Sequence, residues 1–585
     1  MGIEVLMKNI RIGVGDLVSF LYASGDLSSE TFQNVSLLEG TKAHQYLQSK
    51  YTSQDQSEVF VSHDLILDDL TITLSGRIDG LLWRDEAFLI EEIKSTRKSI
   101  FDPQFIANLE HHAQLKMYAY MYMKQHHLTD IKGQVTYIQL SDYKTRSFDE
   151  IFDIDLLEDF FNTSIDAYLK WLEKLYAHYE ARDASLKSLV FPFDVYRRGQ
   201  REMMAAVYQT MIEDDILYAI APTGIGKTMA ALFSTLKALK DHTQKIFYLT
   251  AKTQGKKVAL DTMDMLHEAG LKTKTLELTS KDSICFLEKR DCDPEKCPFA
   301  KGFFDRLRDA TIDIFDHEVL MTRAVVERYA QKHMVCPFEF SLYVSYFVDL
   351  MICDYNYVFD PTSHLIRYFD EDTYQPLLII DEAHNLVSRS RDMYSETLSK
   401  TDLITLRKHG SKLKPTIRNA VKKVLDVIES YDVLLGDAPF MSFTSPKEAL
   451  IDLLYHLLKK IEKSLKENPK YHKKSDVMDG YIALLRFLRI YEYYNESYVT
   501  NVEKTEDDIK ITLQCLDASS YIYDTIKHKT FGATFFSATL YPIEYYQKLL
   551  TKGHGETLKI KSPYDPNHLK LIFMNQVSTR FQDRS

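Results

Sequence analysis

Three groups of residues in this 585-residue chain have the types and spacing to do chemistry. The first is Ala221-Pro-Thr-Gly-Ile-Gly-Lys-Thr228, which follows an apolar run and opens a helical pattern. Backbone N–H groups at such a helix N-terminus favour phosphate charge. Gly224 and Gly226 shape the turn, Lys227 meets the terminal phosphates of a nucleotide and Thr228 holds Mg²⁺. Ala221 stands where such loops usually begin with glycine. Further on, Asp381-Glu-Ala-His384 follows the apolar run Leu377–Ile380. That order brings two carboxylates to a strand end beside the loop, where Asp381 binds Mg²⁺ through water and Glu382 orients the attacking water.

The second group lies near the N-terminus, where Ser75-Gly-Arg-Ile-Asp79 is followed after a turn by Leu89-Ile-Glu-Glu-Ile-Lys94. Alternation along a strand puts Glu92 and Lys94 on one face. Asp79 and Glu92 suit Mg²⁺ or Mn²⁺, and Lys94 steadies the attacking water and the phosphate charge. The same triplet also occurs as surface salt-bridge chemistry. The third group is Cys285, Cys292, Cys297 and Cys336, four of the six cysteines in the chain. Four thiolates suit an iron–sulfur cluster or a tetrahedral zinc site, buried cysteines are the third option, and the spacing does not choose among them. Cys353 and Cys515 sit in apolar surroundings and read as core residues. Phe286, Phe299 and Phe338 read as a packing shell around the cysteine segment.

The elements that must position these groups follow from periodicity. Short apolar runs at Ile216–Ile220 and Ile246–Thr250 are each followed by turn chemistry and a helical pattern, the alternation of a parallel α/β sheet. Leu377–Ile380 and Thr534–Phe536 give two further strands. Strand-like runs at Leu74–Ile78 and Ala87–Ile93 precede a long helix over Leu156–Ala181, which ends before the break at Phe191-Pro192-Phe193. The Lys/Leu/Tyr-rich stretch between the third and fourth motor strands is too long for a loop and is expected to be a helical insertion. The cysteine segment shows little periodicity of its own.

A hydrophobic content of 45% over this length implies roughly two to four domains. The net charge of −12 excludes a histone-like mode in which broad positive charge alone grips nucleic acid, though a narrow basic channel is compatible with it. Basic clusters at 252–257 and 459–474 read as solvated faces. The N-terminus lacks the apolar core of a signal peptide and no run approaches a membrane span, so a cytoplasmic protein without membrane contact is expected. Six cysteines are too few for a disulfide scaffold.

With the loop, the acid box and their order in view, the chain resembles superfamily 2 helicases of the XPD and DinG type from about residue 191 onward. The resemblance implies ATP and Mg²⁺ as cofactors, and Lys227, Asp381, Glu382 and His384 as the catalytic set. It implies that Tyr196-Arg-Arg-Gly-Gln200 recognises adenine through Gln200 and that Thr250, Lys252, Thr253 and Gln254 contact single-stranded or forked DNA. Ser537-Ala-Thr539 matches the motif that couples hydrolysis to DNA movement, in the 5′ to 3′ direction. It also selects a [4Fe–4S] cluster for the four cysteines.

Residues from about 8 to 180 resemble RecB-like nucleases of the PD-(D/E)XK class. Gly40-Thr-Lys-Ala-His44 and Gln114-Leu-Lys-Met-Tyr118 flank the carboxylates in the order of that family. The resemblance makes His44 a metal ligand with Asp79 and Glu92, and has Gln114 and Tyr118 position the DNA backbone. The extra cysteines of some relatives are absent here.

The expected organisation is therefore a nuclease-like domain over 1–185 and a RecA-like motor domain over 191–275 and 340–386. An iron–sulfur insertion occupies 276–339, a helical arch-like insertion 387–528, and 529–585 ends the first motor domain and starts a truncated second. No arginine-bearing motif follows Thr539, and hydrolysis of this type relies on a positive finger worth on the order of 10³-fold in rate. An alternative reading is thus an ATP- and DNA-binding module that cannot unwind alone. A P-loop ATPase for another substrate, such as a transporter, is disfavoured by the acid box, the cysteine insert and the nuclease-like front.

Overall fold

The computed structural model describes residues 9–564, apart from 28–32, 68–69, 97–98, 104, 141, 242, 252, 371–373, 410–414 and 468–474, together with positions 567, 570–572, 578 and 580. The chain is mixed α/β and divides into two compact units. One is drawn from 1–185, 272–348 and 391–516, the other from 186–271, 349–390 and 517–585.

The second unit is built on parallel strands. Their order is Leu350–Cys353, Gln244–Leu249, Gln375–Asp381, Ala533–Ser537, Ile216–Ile220 and Glu556–Lys559, with parallel pairing at every step. Apolar runs such as Leu377–Ile380 are wholly buried, as expected for strands covered on both faces. The helices Gln200–Glu213, Lys227–Ala238 and Thr253–Glu268 follow or flank these strands. This is the RecA-like region, and its chain order differs from its spatial order. Ala533–Ser537 pairs with both Ile216–Ile220 and Gln375–Asp381, so the last of the four anticipated strands lies between the first and the third.

In the first unit, a six-stranded mixed sheet carries the N-terminal carboxylates. The long strand Leu70–Arg84 pairs in parallel with Asn9–Gly13 and antiparallel with Gln56–Leu67 and Ala87–Thr96. Ala87–Thr96 pairs in parallel with Asp130–Gln139, and helix Leu109–His126 is the crossover between them. Thr145–Asp153 closes the edge, and the helix expected over Leu156–Ala181 runs over Ile154–Ser188.

The cysteine segment is more regular than its sequence pattern indicates, because helices Phe303–His317, Arg323–Lys332 and Pro337–Val344 succeed Cys297. Each is short, and burial of one face supplies most of its stability. The stretch expected to be a helical insertion also contains strands. Glu396–Ser399, Ile509–Cys515, Tyr498–Lys504 and Phe440–Phe443 form an antiparallel sheet beside helices Pro415–Leu435, Glu448–Glu467 and Ser475–Tyr491. Their burial alternates, as in Ile509, Ile511, Leu513 and Cys515, with only one face apolar, a weaker signal than the helical periodicity around it. Among the described residues no helix is long and apolar enough to cross a membrane.

Within the same unit an aromatic cluster joins the long helix to the cysteine segment. Trp171 stacks on Phe20 at 5.2 Å and meets Phe315 and Phe347 edge-on at 5.0 and 4.9 Å. Around it, Gly25 N–H donates to Asp305 at 2.9 Å, Leu27 N–H to the Ala300 carbonyl at 2.9 Å and Gly302 N–H to Asp26 at 2.7 Å. Removal of a buried tryptophan costs about 3–5 kcal/mol through lost transfer energy and the cavity left behind. Trp171→Ala should lower the unfolding free energy of this unit by that amount in a denaturant titration followed by circular dichroism, and a loss below about 1 kcal/mol would refute the packing described here.

Candidate functional site

The phosphate loop is made by two glycines in a conformation that side chains resist. Gly224 and Gly226 have φ of +87° and +76°, and Gly226 is the N-cap of helix Lys227–Ala238. The Gly224 carbonyl accepts from Arg197 Nη1 at 2.7 Å. In front of the loop, a cavity of about 210 Å³ is lined by Phe193, Val195, Gln200, Lys227, Thr228 and Met265, among others. Glycines, a helix N-terminus and a partly apolar cavity fit a nucleotide with its phosphates on the loop.

Asp381 ends its strand buried, where its carboxylate accepts from the Tyr248 hydroxyl at 2.7 Å. The Thr228 hydroxyl donates in turn to Tyr248, so one tyrosine joins the loop threonine to the strand-end acid. Burial pushes the Asp381 carboxyl up to about 6, and Glu382 adds to this; the Tyr248 hydrogen bond and Lys227 oppose it. Thr228 and Asp381, expected beside one another at the nucleotide site, are thus linked, and Lys227 is near enough to act on the Asp381 carboxyl. Tyr248 carries no signal in the sequence except its place near the end of the apolar run 246–250. Tyr355, whose hydroxyl donates to the Asp381 carbonyl, carries none.

Glu382 adopts φ +48° and accepts from Ser537 Oγ at 3.1 Å. His384 Nδ1 lies 2.8 Å from Ser537 Oγ, 3.3 Å from Glu382 and 3.2 Å from Thr539 Oγ1. The acid box is therefore wired directly to Ser537 and Thr539, the residues expected to couple hydrolysis to movement.

Two of the expected contact residues are buried. Gln200 is buried, its oxygen accepting from Arg197 N–H at 3.1 Å and its amide donating to the Gly226 carbonyl at 3.4 Å, so it braces the phosphate loop as well as lining the cavity. Thr250 is fully buried, with its hydroxyl at the face of Gly255 and near Asp381, and presents nothing to a DNA strand. A strand end that feeds the acid site must be packed, which is why its last residue points inward. Thr253 and Gln254 are exposed in the first turn of their helix, and Lys252 lies outside the described residues.

In the mixed sheet, Asp79 accepts from the Ile93 N–H at 2.7 Å and faces His44 Nδ1 at 3.7 Å. Glu92 is buried and one oxygen pairs with Lys94 at 2.8 Å. Its other oxygen has no hydrogen-bond partner. Burial pushes the Glu92 carboxyl up to about 8 against the pull of Lys94, with Asp79 and Glu58 raising it further. An unpaired oxygen on a buried acid fits a divalent cation, because such a group is costly until it gains a positive partner.

Lys94 also donates to Gln114 at 2.9 Å, and Gln114 lies 3.5 Å from the Tyr118 hydroxyl. Gly76 lets the Tyr118 ring lie against the strand, since a Cβ there would sit 2.7 Å from the ring. Gln114 and Tyr118 thus face the carboxylates. Tyr118 is buried and is linked to Lys94 through Gln114. Glu91, on the opposite strand face, is held by Tyr51, Gln134 and Thr136 and belongs to the core.

All six cysteines are free thiols, and Cys353 and Cys515 are buried as expected. Burial raises the Cys292 thiol, with Cys297 and Cys285 near enough to add to the effect and Lys281 opposing it. Cys336 is pushed up to about 11 by burial, against the Glu339 and Phe338 N–H groups and Lys281. Among the described residues, however, no three His, Cys, Asp or Glu side chains are arranged to hold a metal ion. Phe286 packs on Phe299 at 4.8 Å, and Lys281 lies 5.2 Å from the Phe338 ring, in keeping with a packing role.

The glycine loop, helix N-terminus and strand-end acid lie on a RecA-like sheet, and the group Asp79, Glu92 and Lys94 lies on a separate mixed sheet. Residues 29–201 match the PD-(D/E)XK nuclease superfamily and residues 233–403 match DEAD_2. The chain joins a PD-(D/E)XK nuclease superfamily domain to a DEAD_2 domain, the XPD/DinG type of helicase domain. It is 25% identical over 263 residues to the regulator of telomere elongation helicase 1 homolog of Caenorhabditis briggsae, covering 37% of this chain and 26% of that protein. It is 23% identical over 270 residues to the general transcription and DNA repair factor IIH helicase subunit XPD of Dictyostelium discoideum, covering 40% of this chain and 33% of that protein. The chain therefore spans between a quarter and a third of the length of these relatives. A solved XPD helicase aligns with a TM-score of 0.42 at 17% identity, covering 63% of this chain and 62% of that one.

The raised carboxyl at Asp381 has a testable sign. Its ionised form is needed to hold Mg²⁺, so affinity for Mg²⁺-nucleotide should fall as pH drops through about 6. Tyr248→Phe removes a donor that favours the carboxylate, so the midpoint should move upward relative to the unsubstituted protein. Titration calorimetry from pH 8 to pH 5 on both proteins cancels the nucleotide's own titration, and coincident profiles would refute the Tyr248–Asp381 coupling.

Proposed function

We propose that the chain is an ATP-driven DNA helicase of the XPD/DinG type joined to a divalent-metal-dependent DNA nuclease. It acts on single-stranded or forked DNA in repair or processing, with the motor moving 5′ to 3′ as the family resemblance implies. The observation that carries the reading is the bridge from Thr228 through Tyr248 to Asp381 beside a glycine loop, with Lys227 near enough to act on the same carboxyl.

In the motor, Gly224, Gly226 and the helix N-terminus cradle phosphates, and Lys227 balances their charge. Thr228 and Asp381 would hold Mg²⁺, which neutralises charge developing on the phosphates when bound. Glu382 orients the attacking water, and its link to Ser537 together with the His384 contacts to Ser537 and Thr539 lets a change at the phosphates reach the DNA-coupling motif. Thr253 and Gln254 are the exposed candidates for strand contact, and the family resemblance adds Lys252, which lies outside the described residues.

In the nuclease, Asp79, Glu92 and His44 would hold Mg²⁺ or Mn²⁺, which supplies a polarised water and a sink for phosphate charge. Lys94 steadies that water and the scissile phosphate, while Gln114 and Tyr118 keep Lys94 and the acids in place. The cysteines Cys285, Cys292, Cys297 and Cys336, in the insertion read as 276–339, would hold a [4Fe–4S] cluster. Four free thiols suit it in number, although among the described residues no three of them stand together as metal ligands, so the assignment rests on the family resemblance.

Lys227→Ala should abolish single-stranded-DNA-stimulated ATP turnover and leave nuclease activity intact, whereas Asp79→Ala should abolish Mg²⁺- or Mn²⁺-dependent cleavage of single-stranded DNA and leave ATP turnover intact. Turnover that ignores DNA sinks the motor half, and cleavage unchanged by Asp79→Ala sinks the nuclease half. Elemental and sulfide analysis tests the cluster: iron and sulfide should accompany the purified chain and be lost in Cys292→Ser, while stoichiometric zinc would replace this assignment.

A further inference from the structure

The cation pocket of the mixed sheet contains a carboxylate that the sequence motifs do not mark. Glu58 lies in strand Gln56–Leu67, whose register pairs Ser57 with Gly80 and Val59 with Ile78. Glu58 therefore stands opposite Asp79. It is the one residue of that stretch left out of the pairing, and it adopts φ +55°. A side chain in this region of backbone space inside a strand costs on the order of 1 kcal/mol or more and persists where its surroundings impose it.

The surroundings are visible. Gln48 Nε2 donates to Glu58 Oε1 at 3.0 Å and to the Asp79 carbonyl at 3.0 Å, clamping the two residues with one amide. The Glu58 charge also reaches both Asp79 and Glu92. Glu58, Asp79 and Glu92 thus act on one another's charge without closing as three ligands on a single point, and Lys94 offsets one of them through its contact with Glu92. The remainder matches the charge of one divalent ion. The second oxygen of buried Glu92, which lacks a partner, independently points to a ligand in this pocket.

We propose that Glu58 is a further carboxylate of the divalent-cation site, joining Asp79 and Glu92 by holding the water shell of the ion, with Gln48 as its positioning residue. The inference rests on the nuclease reading. Its exposure suits that role, because Mg²⁺ gives up its waters reluctantly and is commonly bound by one or two carboxylates with the rest of its shell hydrated.

The test is Mn²⁺ binding to the full chain without nucleotide, followed by the electron paramagnetic resonance of the free ion, with Asp79→Ala as the baseline. The unsubstituted protein should bind one Mn²⁺ more than Asp79→Ala. Glu58→Gln, exposed and isosteric, should weaken that site about tenfold, as affinity in such sites follows the count of charged ligands. Gln48→Ala should weaken it less, and neither change should alter the far-ultraviolet circular dichroism of the chain, which reports intact folding. Glu58→Gln with unchanged Mn²⁺ affinity overturns this inference alone. Equal Mn²⁺ binding by the unsubstituted protein and Asp79→Ala overturns the nuclease reading itself.

Discussion

A carboxylate taken out of water without a full set of partners is unfavourable until positive charge arrives, and both sites of this protein are built on that constraint. Asp381 is buried at a strand end and Glu92 in mid-strand, and burial is the largest cause of the rise in each carboxyl. Each keeps only part of its hydrogen bonding inside the protein. Asp381 accepts from Tyr248 and Glu92 is met by Lys94 through a single oxygen. Desolvation that destabilises the empty acid strengthens its attraction for a cation, since the interaction acts in a low dielectric. Stability is thereby exchanged for affinity in the same few residues.

The contrast with Glu91 makes the point by chemistry rather than position. It neighbours Glu92 in the chain and is equally buried, yet Tyr51, Gln134 and Thr136 donate to both of its oxygens. Strand alternation sends consecutive glutamates to opposite faces. One meets a complete set of neutral donors and becomes structural; the other meets a lysine and an open oxygen and becomes available to a cation.

Sheet architecture sets how far each site is coupled to the rest of its unit. In the parallel sheet, the insertion of Ala533–Ser537 between the loop strand and the acid strand puts Ser537 within hydrogen-bond reach of Glu382 and His384. Glu382 therefore meets Ser537 directly, and Thr539 through Ser537 and His384. In the mixed sheet, helix Leu109–His126 crosses from Ala87–Thr96 to Asp130–Gln139 and brings Gln114 onto Lys94, so the ammonium is held from the helix and from its own strand.

By itself, the sequence determined what depends on short spacing. The strand–loop–helix around Lys227, the acid pair after an apolar run, the shared face of Glu92 and Lys94 and the long helix after residue 153 are all local, and periodicity with side-chain chemistry suffices to read them. Strand order, the tyrosine bridge from Thr228 to Asp381, the inward burial of Thr250, the bracing role of Gln200 and the approach of Glu58 to Asp79 were decided only by the tertiary structure. Each depends on segments far apart in the chain meeting at a fixed register, and hydrophobic patterning specifies that an element is buried without specifying against which neighbour. The antiparallel sheet among the helices of 396–515 was hidden for the same reason: its strands pair across distances at which composition is silent.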